Sequence, residues 1–367
     1  MSLGRSRRLP LSAVFAGAVV STVLGSGCVR KPANSATDGT TAQGSAAPGK
    51  GLALDTETSI PGPSERSTPV ARHGQLSVKG AELLDAGGKP AVLRGLSLGW
   101  DNWWPQYYNA HVVHWLWEDW CVDIVRLAMG VEPDNAYLKS PADSKARIEA
   151  AIEGALQTGV YVIIDWHAHH LHPAEAVAFF SEMAAKYGHE PNVIYELFNE
   201  PEKDATWPQV KEYASAVIKA IRAHDPDNVI LVGSPEWDQR IDSVAANPLR
   251  GETNVMYSVH FYADTHRDWL RKRTEAAIAQ GIPVFVSESG GSNAAGQGQN
   301  NYTEWKAWID FLEGHHVSWL DWSVTDKAGE TCSLLQPGAN ASGNWTLAEL
   351  TDSGTHMRNL LRSYCGK

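Results

Sequence analysis

Short apolar runs alternate with longer amphipathic segments along the chain from about residue 73 onwards. Short runs that end at polar or turn residues are typical of buried strands, and amphipathic segments that stop near Gly, His or Pro are typical of helices. The pattern predicts eight strands, at 92–100, 123–129, 160–167, 193–200, 229–235, 255–262, 283–289 and 318–324. The predicted helices between them include 144–158, 173–187, 207–224, 268–281 and 302–314.

Eight buried strands with helices between them indicate the α/β class and, within it, a parallel (β/α)8 TIM barrel. Residues 73–367 exceed the roughly 250 residues that such a barrel typically needs. The segment 75–92 is predicted to form a short hairpin that covers the barrel bottom. A doubly wound open sheet is the alternative, but no glycine-rich phosphate-binding turn follows any predicted strand.

Residues 1–27 have the pattern of a secretory signal peptide, a basic stretch followed by an apolar run at 9–24 and then small residues. The small residues before Cys28 resemble a bacterial lipobox, in which the cysteine is lipidated and anchors the protein to a membrane. Leu24 lies one place further from Cys28 than in the usual pattern. Secretion and a lipidated cell-surface form therefore stay open as alternatives.

Composition changes after the signal segment. Residues 28–72 are rich in Ser, Thr, Ala, Gly and Pro and show almost no apolar periodicity. Such a segment buries too little surface to offset its ordering entropy, which predicts a disordered linker. The folded domain is therefore predicted to occupy residues 73–367.

Charge and aromatic content narrow the classes of partner. The formal net charge of -11 excludes a phosphate-backbone partner, because nucleic-acid binding depends on clustered Lys and Arg. The 15 Trp and 11 Tyr exceed what the core of such a domain needs, although core packing accounts for several. Flat aromatic faces stack on the apolar faces of sugar rings, so the excess favours a carbohydrate-binding groove.

Three cysteines follow the signal segment, in an exported context that permits disulfides. In the predicted barrel, Cys121 ends the first helix and Cys365 ends the last helix. These helices are neighbours in a closed ring, which predicts a Cys121–Cys365 disulfide at the barrel bottom. Cys332 is then expected to be free.

Polar and aromatic side chains stand at the carboxyl ends of the predicted strands, where a barrel of this kind carries its catalytic groups. Glu200 and Glu288 each end an apolar run, so both carboxyls are expected at the barrel mouth. Partial burial there raises a carboxyl pKa and suits it to general acid catalysis, and two such acids are what a glycosidase needs. Structural acids paired with an Arg are the alternative, which the aromatic and polar neighbours disfavour. These neighbours are Trp100, Arg126, His167, Asn199, His260, Tyr262 and Trp322.

Seven motifs along the chain resemble glycoside hydrolase family 5, and within it the bacterial endoglucanase subfamily. They cover essentially the whole predicted barrel and follow the order of the family. The motifs are RGLSLGW (94–100), VRLAM (125–129), IDWH (164–167), ELFNEP (196–201), YSVHFY (257–262), FVSESG (285–290) and WLDWSVTDK (319–327).

The resemblance implies a role for each matching residue. Glu200 would be the acid/base, Glu288 the nucleophile, and Asn199 a partner of the sugar 2-hydroxyl. Of the remaining residues, Arg126 and Tyr262 would contact the nucleophile, His260 would lie beside both acids, His167 and Trp322 would bind the sugar at the cleavage point, Lys327 would contact the neighbouring unit, and Trp100, Trp103 and Trp104 would line the cleft.

The resemblance implies an endo-β-1,4-glucanase, a cellulase, that retains anomeric configuration, acts on β-glucan and needs no cofactor or metal. The sequence leaves the oligomeric state open, and a monomer is the default expectation. A β-1,4-mannanase or xyloglucanase of the same fold is an alternative, and a surface glycan-binding lipoprotein without catalysis is another. The His-rich run 167–172 lacks the ligand spacing of a metal site. Two departures from the family pattern are Ser289, where Trp commonly follows the nucleophile, and the absence of a His from the loop after the first strand.

Overall fold

The computed structural model describes residues 66–365, and its core is a closed barrel of eight parallel strands. This confirms the predicted (β/α)8 TIM barrel. A two-stranded antiparallel hairpin, β1 and β2, precedes the barrel, whose strands β3 to β10 lie next to one another in chain order until β10 closes on β3. The strands are β1 Ser77–Lys79, β2 Glu82–Leu84, β3 Arg94–Leu98, β4 Ile124–Gly130, β5 Tyr161–His167, β6 Val193–Glu196, β7 Ile230–Val232, β8 Val255–Tyr262, β9 Val284–Gly290 and β10 Trp319–Val324.

Helices surround the barrel and shield its strands from water. The helices are α1 Pro69–His73, α2 Ala110–Glu118, α3 Pro141–Thr158, α4 Pro173–Tyr187, α5 Trp207–Arg222, α6 Pro235–Asp238, α7 Ile241–Ala246, α8 Asp268–Ile278, α9 Tyr302–Gly314 and α10 Asp352–Arg362. Within residues 66–365, none of them combines the length and the apolar character that a membrane crossing requires.

Two strands end three or four residues earlier than predicted, and both differences bear on the site. The run 193–200 is a strand only as far as Glu196, and the chain then leaves the sheet. The loop that follows remains hydrogen-bonded to the end of β5 and the residue after it. Asn199 N donates to Trp166 O at 3.1 Å, and Glu200 N donates to Ala168 O at 3.3 Å. The run 229–235 is a strand only as far as Val232, after which the chain turns sharply into α6.

The barrel interior is apolar at its bottom, the end where the strands begin. Alternate residues of a strand face the same side, so a few positions from each strand fill this space. The buried cluster there consists of Leu76, Leu83, Ala91, Leu93, Ile124, Tyr161, Ile163, Ile194, Val229, Leu231, Met256, Phe285 and Leu320. The hairpin β1–β2 contributes to this cluster, as expected for a cover on the barrel bottom.

Residues ahead of the predicted boundary at 72/73 also pack against the barrel bottom. Arg66 Nη2 donates to Glu118 O at 2.7 Å, Val70 N donates to Gly159 O at 3.0 Å, and Arg72 forms an ion pair with Asp123. The folded part therefore starts no later than Arg66. The predicted signal peptide, the lipidation site Cys28 and most of the predicted linker lie outside the described residues.

A disulfide joins Cys121 to Cys365, the pair predicted from the sequence, with a Cα–Cα distance of 5.3 Å. It connects the end of α2 to the segment after α10, and so ties the first barrel helix to the last. The expectation that Cys332 is free is wrong, because Cys332 is also disulfide-bonded. That expectation assumed that removal of a signal peptide leaves three cysteines, of which one must be unpaired.

Candidate active site

Charged side chains from six strands converge at the carboxyl end of the barrel, and nearly all are fully buried. Since the strands are parallel and closed, their last residues face one another across the mouth. The structure brings together Arg126 from β4, Asp165 and His167 from β5, Glu196 from β6, His260 and Tyr262 from β8, Ser287 and Glu288 from β9, and Asp321 and Trp322 from β10. Asn199 and Glu200 join them from the loop after β6.

Glu288 accepts two hydrogen bonds that favour its ionised form. Arg126 Nη1 donates to Oε2 at 2.9 Å, and Tyr262 OH donates to Oε1 at 2.7 Å. Burial and the nearby Glu288 raise the pKa of Tyr262 well above its usual value, so the phenol keeps the proton that it donates. The two hydrogen bonds orient the carboxylate, as a nucleophile requires.

Arg126 is the positive centre of the site. It donates to Glu196 Oε2 at 2.6 Å and to Asn199 Oδ1 at 2.7 Å, and it lies 3.0 Å from Asp165 Oδ2. Burial alone would raise the pKa of Glu196, but the charges of Arg126 and His260 and the hydrogen bond from Ser287 outweigh it and lower that pKa to about 2. Glu196 is thus the supporting acid that its place on β6 suggests.

Glu200 has a different environment, without an arginine. Its Oε1 lies 3.1 Å from His260 Nδ1, and its Oε2 lies 3.9 Å from His169 Nδ1. Burial raises the pKa of Glu200, an effect that the His260 hydrogen bond opposes and the charge of Glu288 reinforces. A carboxyl that holds its proton more tightly than usual is suited to act as a general acid.

The two carboxyls are close together. One oxygen of Glu200, one oxygen of Glu288 and a ring nitrogen of His260 all lie within 4.8 Å of one another. This is closer than the separation of about 6.5–9.5 Å that leaves room for a water between the two acids of an inverting glycosidase. Within residues 66–365, these three residues are also the one group whose ligand atoms are placed to hold a metal ion.

Flat rings line the floor beside the two acids. Trp322 and His167 are stacked, with ring centroids 5.2 Å apart and planes 8° apart, and Trp100 lies edge-on to His167 at 4.3 Å. Asp165 Oδ2 lies 2.6 Å from His167 Nδ1 and fixes the orientation of that ring. Burial and Arg126 lower the pKa of His167 well below its usual value, so the ring is neutral and suited to hydrogen-bond a sugar hydroxyl.

The sequence model of a family described as cellulase (glycosyl hydrolase family 5) matches residues 84–328. These residues include all eight strands of the barrel and end before helix α10. The chain belongs to glycosyl hydrolase family 5. This membership confirms the resemblance drawn from the seven motifs.

Similar proteins carry related names. Endoglucanase 5 of Pectobacterium carotovorum is 43% identical over 303 residues, which are 81% of this chain and 59% of that protein. A solved structure from Cytophaga hutchinsonii has a TM-score of 0.80 and 43% identity, covering 82% of this chain and 98% of its own. The catalytic domain of Thermobifida fusca endoglucanase, solved in complex with cellotetraose, has a TM-score of 0.76 and 33% identity, covering 81% of this chain and all of its own.

Other residues that the family resemblance singles out are engaged in contacts of their own. Lys327 Nζ lies 2.9 Å from Glu330 Oε1, beside the site. Trp104 is buried, whereas its neighbour Trp103 is half-buried and stacks on Trp100 at 4.8 Å. At the position where family 5 commonly has Trp, the Ser289 hydroxyl donates to Leu320 O at 2.8 Å and is thereby satisfied inside the barrel.

Sequence reasoning missed three polar residues of this family 5 site. Ser287 Oγ donates to Glu196 Oε1 at 2.5 Å and lies 3.0 Å from His260 Nε2. Asp238 reaches the same ring nitrogen from α6 at 3.4 Å. His169, which the sequence analysis considered only within a His-rich run, faces Glu200. The sequence could have indicated Ser287, because it directly precedes Glu288 on β9 and so lies close to the same group of side chains.

Proposed function

We propose that the barrel is an endo-β-1,4-glucanase that acts with net retention, with Glu200 as acid/base and Glu288 as nucleophile. The observation that carries the proposal is the contrast between two acids whose nearest oxygens are at most 4.8 Å apart. Arg126 and Tyr262 hold Glu288 as an anion, while burial raises the pKa of Glu200. The endoglucanase names of the relatives support β-1,4-glucan as the substrate, as does the cellotetraose bound to one of them.

The proposed reaction has two steps. In the first, Glu288 attacks the anomeric carbon, the glycosidic C–O bond breaks, and Glu200 gives its proton to the departing oxygen. In the second, water attacks the glycosyl–Glu288 ester, Glu200 takes a proton from that water, and the Glu288 carboxylate is released. Asn199, whose oxygen accepts from Arg126, keeps its NH2 group for the sugar 2-hydroxyl.

The test is a comparison of four substrates with the purified protein: carboxymethylcellulose, glucomannan, xyloglucan and galactomannan. We expect a rapid fall in carboxymethylcellulose viscosity with few new reducing ends, since an endo-acting enzyme cuts chains internally. Proton NMR of fresh digests should show β anomers first, because the configuration is retained. Activity on a mannan or xyloglucan alone would make that polysaccharide the substrate in place of β-1,4-glucan. No hydrolysis of any of the four would favour a glycan-binding protein without catalysis.

We also propose that the protein is exported and acts as a monomer, either secreted or anchored through Cys28, where lipidation would leave the Cys28 sulfur unable to form a disulfide. Support comes from the signal-like segment 1–27 and from the polysaccharide substrate, which is too large to enter a cell. Labelling expressing bacteria with a clickable fatty acid distinguishes the two forms. Label that is lost in Cys28→Ser indicates anchoring, absence of label with protein in the medium indicates secretion, and light scattering gives the oligomeric state.

A further inference from the structure

Asp238 is a fully buried carboxyl that the two-step reaction leaves without a role. Its Oδ1 accepts a hydrogen bond from Ser234 N, whereas its Oδ2 accepts none from residues 66–365. That unpartnered oxygen lies 3.4 Å from His260 Nε2. Burial raises the pKa of Asp238 well above its usual value, and the charge of His260 opposes that rise, so the His260 ring is the group that favours the ionised form of Asp238.

The backbone of α6 is shaped to hold Asp238 in this place. Glu236, Trp237 and Asp238 have φ angles of 57°, 58° and 59°, a region that L-residues other than glycine seldom adopt. Trp237 N donates to Pro201 O at 2.9 Å, which fastens the turn to the loop that carries Glu200. Backbone strain of this kind persists where the surroundings enforce it, and it clusters at functional sites.

The two ring nitrogens of His260 have separate tasks. Ser287 Oγ donates its proton to Glu196 Oε1 at 2.5 Å, so it can only accept from His260 Nε2, which lies 3.0 Å away. Nε2 must therefore carry a hydrogen. Nδ1 faces Glu200 Oε1 at 3.1 Å. The proton between Nδ1 and Oε1 therefore has two places, giving either imidazolium with carboxylate or imidazole with carboxylic acid.

We propose that Asp238 is a positioning residue that acts through His260: it holds the ring with Nδ1 towards Glu200, and its negative charge helps to retain the proton that Nδ1 and Glu200 share. This inference rests on the proposed function, in which Glu200 must be ionised to act as base in the second step. The shared proton has by then left with the departing oxygen, and the proton that Glu200 takes from water is the next one that it shares with Nδ1.

The other charges around His260 point the same way. Burial alone would lower the pKa of His260, but the surrounding acids outweigh burial and raise the pKa well above its usual value, with Asp238 the largest of them. Neutral His266 lies further off, where burial and His260 lower its pKa to about 4. The acids that face the ring are Glu196 and Glu200 from β6 and its loop, Asp238 from α6, and Glu288 from β9.

The first test is Asp238→Asn in the full chain, with Asp242→Asn as its matched control. Asp242 lies in α7 and pairs with Arg240 and Arg273, so the control removes the same charge away from His260. We expect the basic limb of kcat/KM for Asp238→Asn to move down by roughly 0.5 to 1 pH unit, with KM within about twofold, because loss of a nearby negative charge lowers the pKa at which the shared proton is lost. An unmoved limb with lower thermal stability would make Asp238 merely structural and overturn the proposal.

A second pair of variants tests the route through His260. In a His260→Gln background, adding Asp238→Asn should leave the residual basic limb where it is, because the group that transmits the effect is gone. A shift as large as in the unaltered protein would show that Asp238 acts on Glu200 directly, which overturns the proposed route.

A third measurement needs no substrate and no variant that folds poorly. In the wild-type protein labelled with 15N-histidine, we expect NMR to find Nε2 of His260 protonated on both sides of the basic limb, because Nε2 faces Ser287 Oγ and Asp238 Oδ2. Detection of an Nε2 without a proton would overturn the proposal. Because this readout does not depend on hydrolysis, failure on every glucan would reject the proposed function while leaving the inference about His260 to stand or fall separately.

Discussion

The two ends of the barrel interior are equally dry but chemically opposite. At the bottom, Ile163, Ile194 and Phe285 pack with other apolar side chains, and each buried Å² contributes about 25 cal/mol to stability. At the top, Arg126 and Glu196 are just as buried but are charged, and burial of charges costs free energy unless they are paired and hydrogen-bonded.

The same strands build both ends. On β5, Ile163 belongs to the apolar cluster, and Asp165 and His167, two and four residues further along the same face, belong to the site. The same face of the strand therefore carries an apolar residue near its start, which contributes to stability, and polar residues near its end, which belong to the site. The comparison teaches that substitutions at the top should alter activity more than stability, and substitutions at the bottom the reverse.

The largest expected effect is the loss of either catalytic acid. Glu200→Ala and Glu288→Ala should each lower kcat roughly 10⁴-fold or more, with a melting temperature no lower than that of the wild type, since each removes a buried carboxyl. Kinetics on cellulose oligomers, whose leaving group needs a proton, and thermal melts measure both quantities.

Azide then assigns the roles of the two acids. As a small anion, azide should rescue Glu288→Ala by direct attack and give an α-glycosyl azide. In Glu200→Ala, azide should attack the glycosyl enzyme and give a β-glycosyl azide. The opposite pattern of products would exchange the assignments of Glu200 and Glu288.

Arg126 is expected to be an exception to this division, because its loss should lower both activity and stability although it lies at the top of the barrel. Arg126→Met should lower kcat by roughly 10² to 10³-fold and also destabilise the fold by about 3–5 kcal/mol, since Asp165, Glu196 and Glu288 lose their shared cation. Urea unfolding measures the second effect, and Arg126→Lys is the matched control, which should recover part of the stability. Unchanged stability of Arg126→Met would mean that these acids do not depend on Arg126.

The pH dependence of kcat/KM is expected to show a smaller effect, and it reports on Glu200 at the top of the barrel. Burial raises the pKa of Glu200, and an acid catalyst must be protonated, so kcat/KM on cellulose oligomers should fall as pH rises through that raised pKa. With a dinitrophenyl leaving group, which needs no proton, the fall at high pH should disappear while the fall at low pH remains. Persistence of the high-pH fall would assign it to a group other than Glu200.

Much of the fold could be read from the sequence, because a parallel strand buried on both faces is an unbroken apolar run. The ends of such runs also located Glu200 and Glu288, together with Arg126 and Tyr262, which contact Glu288. Asp238 could not be found in this way, because three left-handed residues in a row leave no pattern and the run 229–235 looked like one strand. Loop residues such as His169 are placed by tertiary contacts rather than by periodicity.

The smallest expected effect on activity belongs to the bottom of the barrel. The Cys121–Cys365 disulfide closes a loop of 244 residues, and the double variant Cys121→Ser, Cys365→Ser should lose about 2–4 kcal/mol of stability. Substitution is a cleaner test than a reductant, because Cys332 is also disulfide-bonded. We expect kcat to stay within about twofold, since the bridge lies at the opposite end from Glu200 and Glu288. A large fall in kcat in the still-folded variant would show that the bottom of the barrel controls the geometry of the mouth, and the division between the two ends would fail.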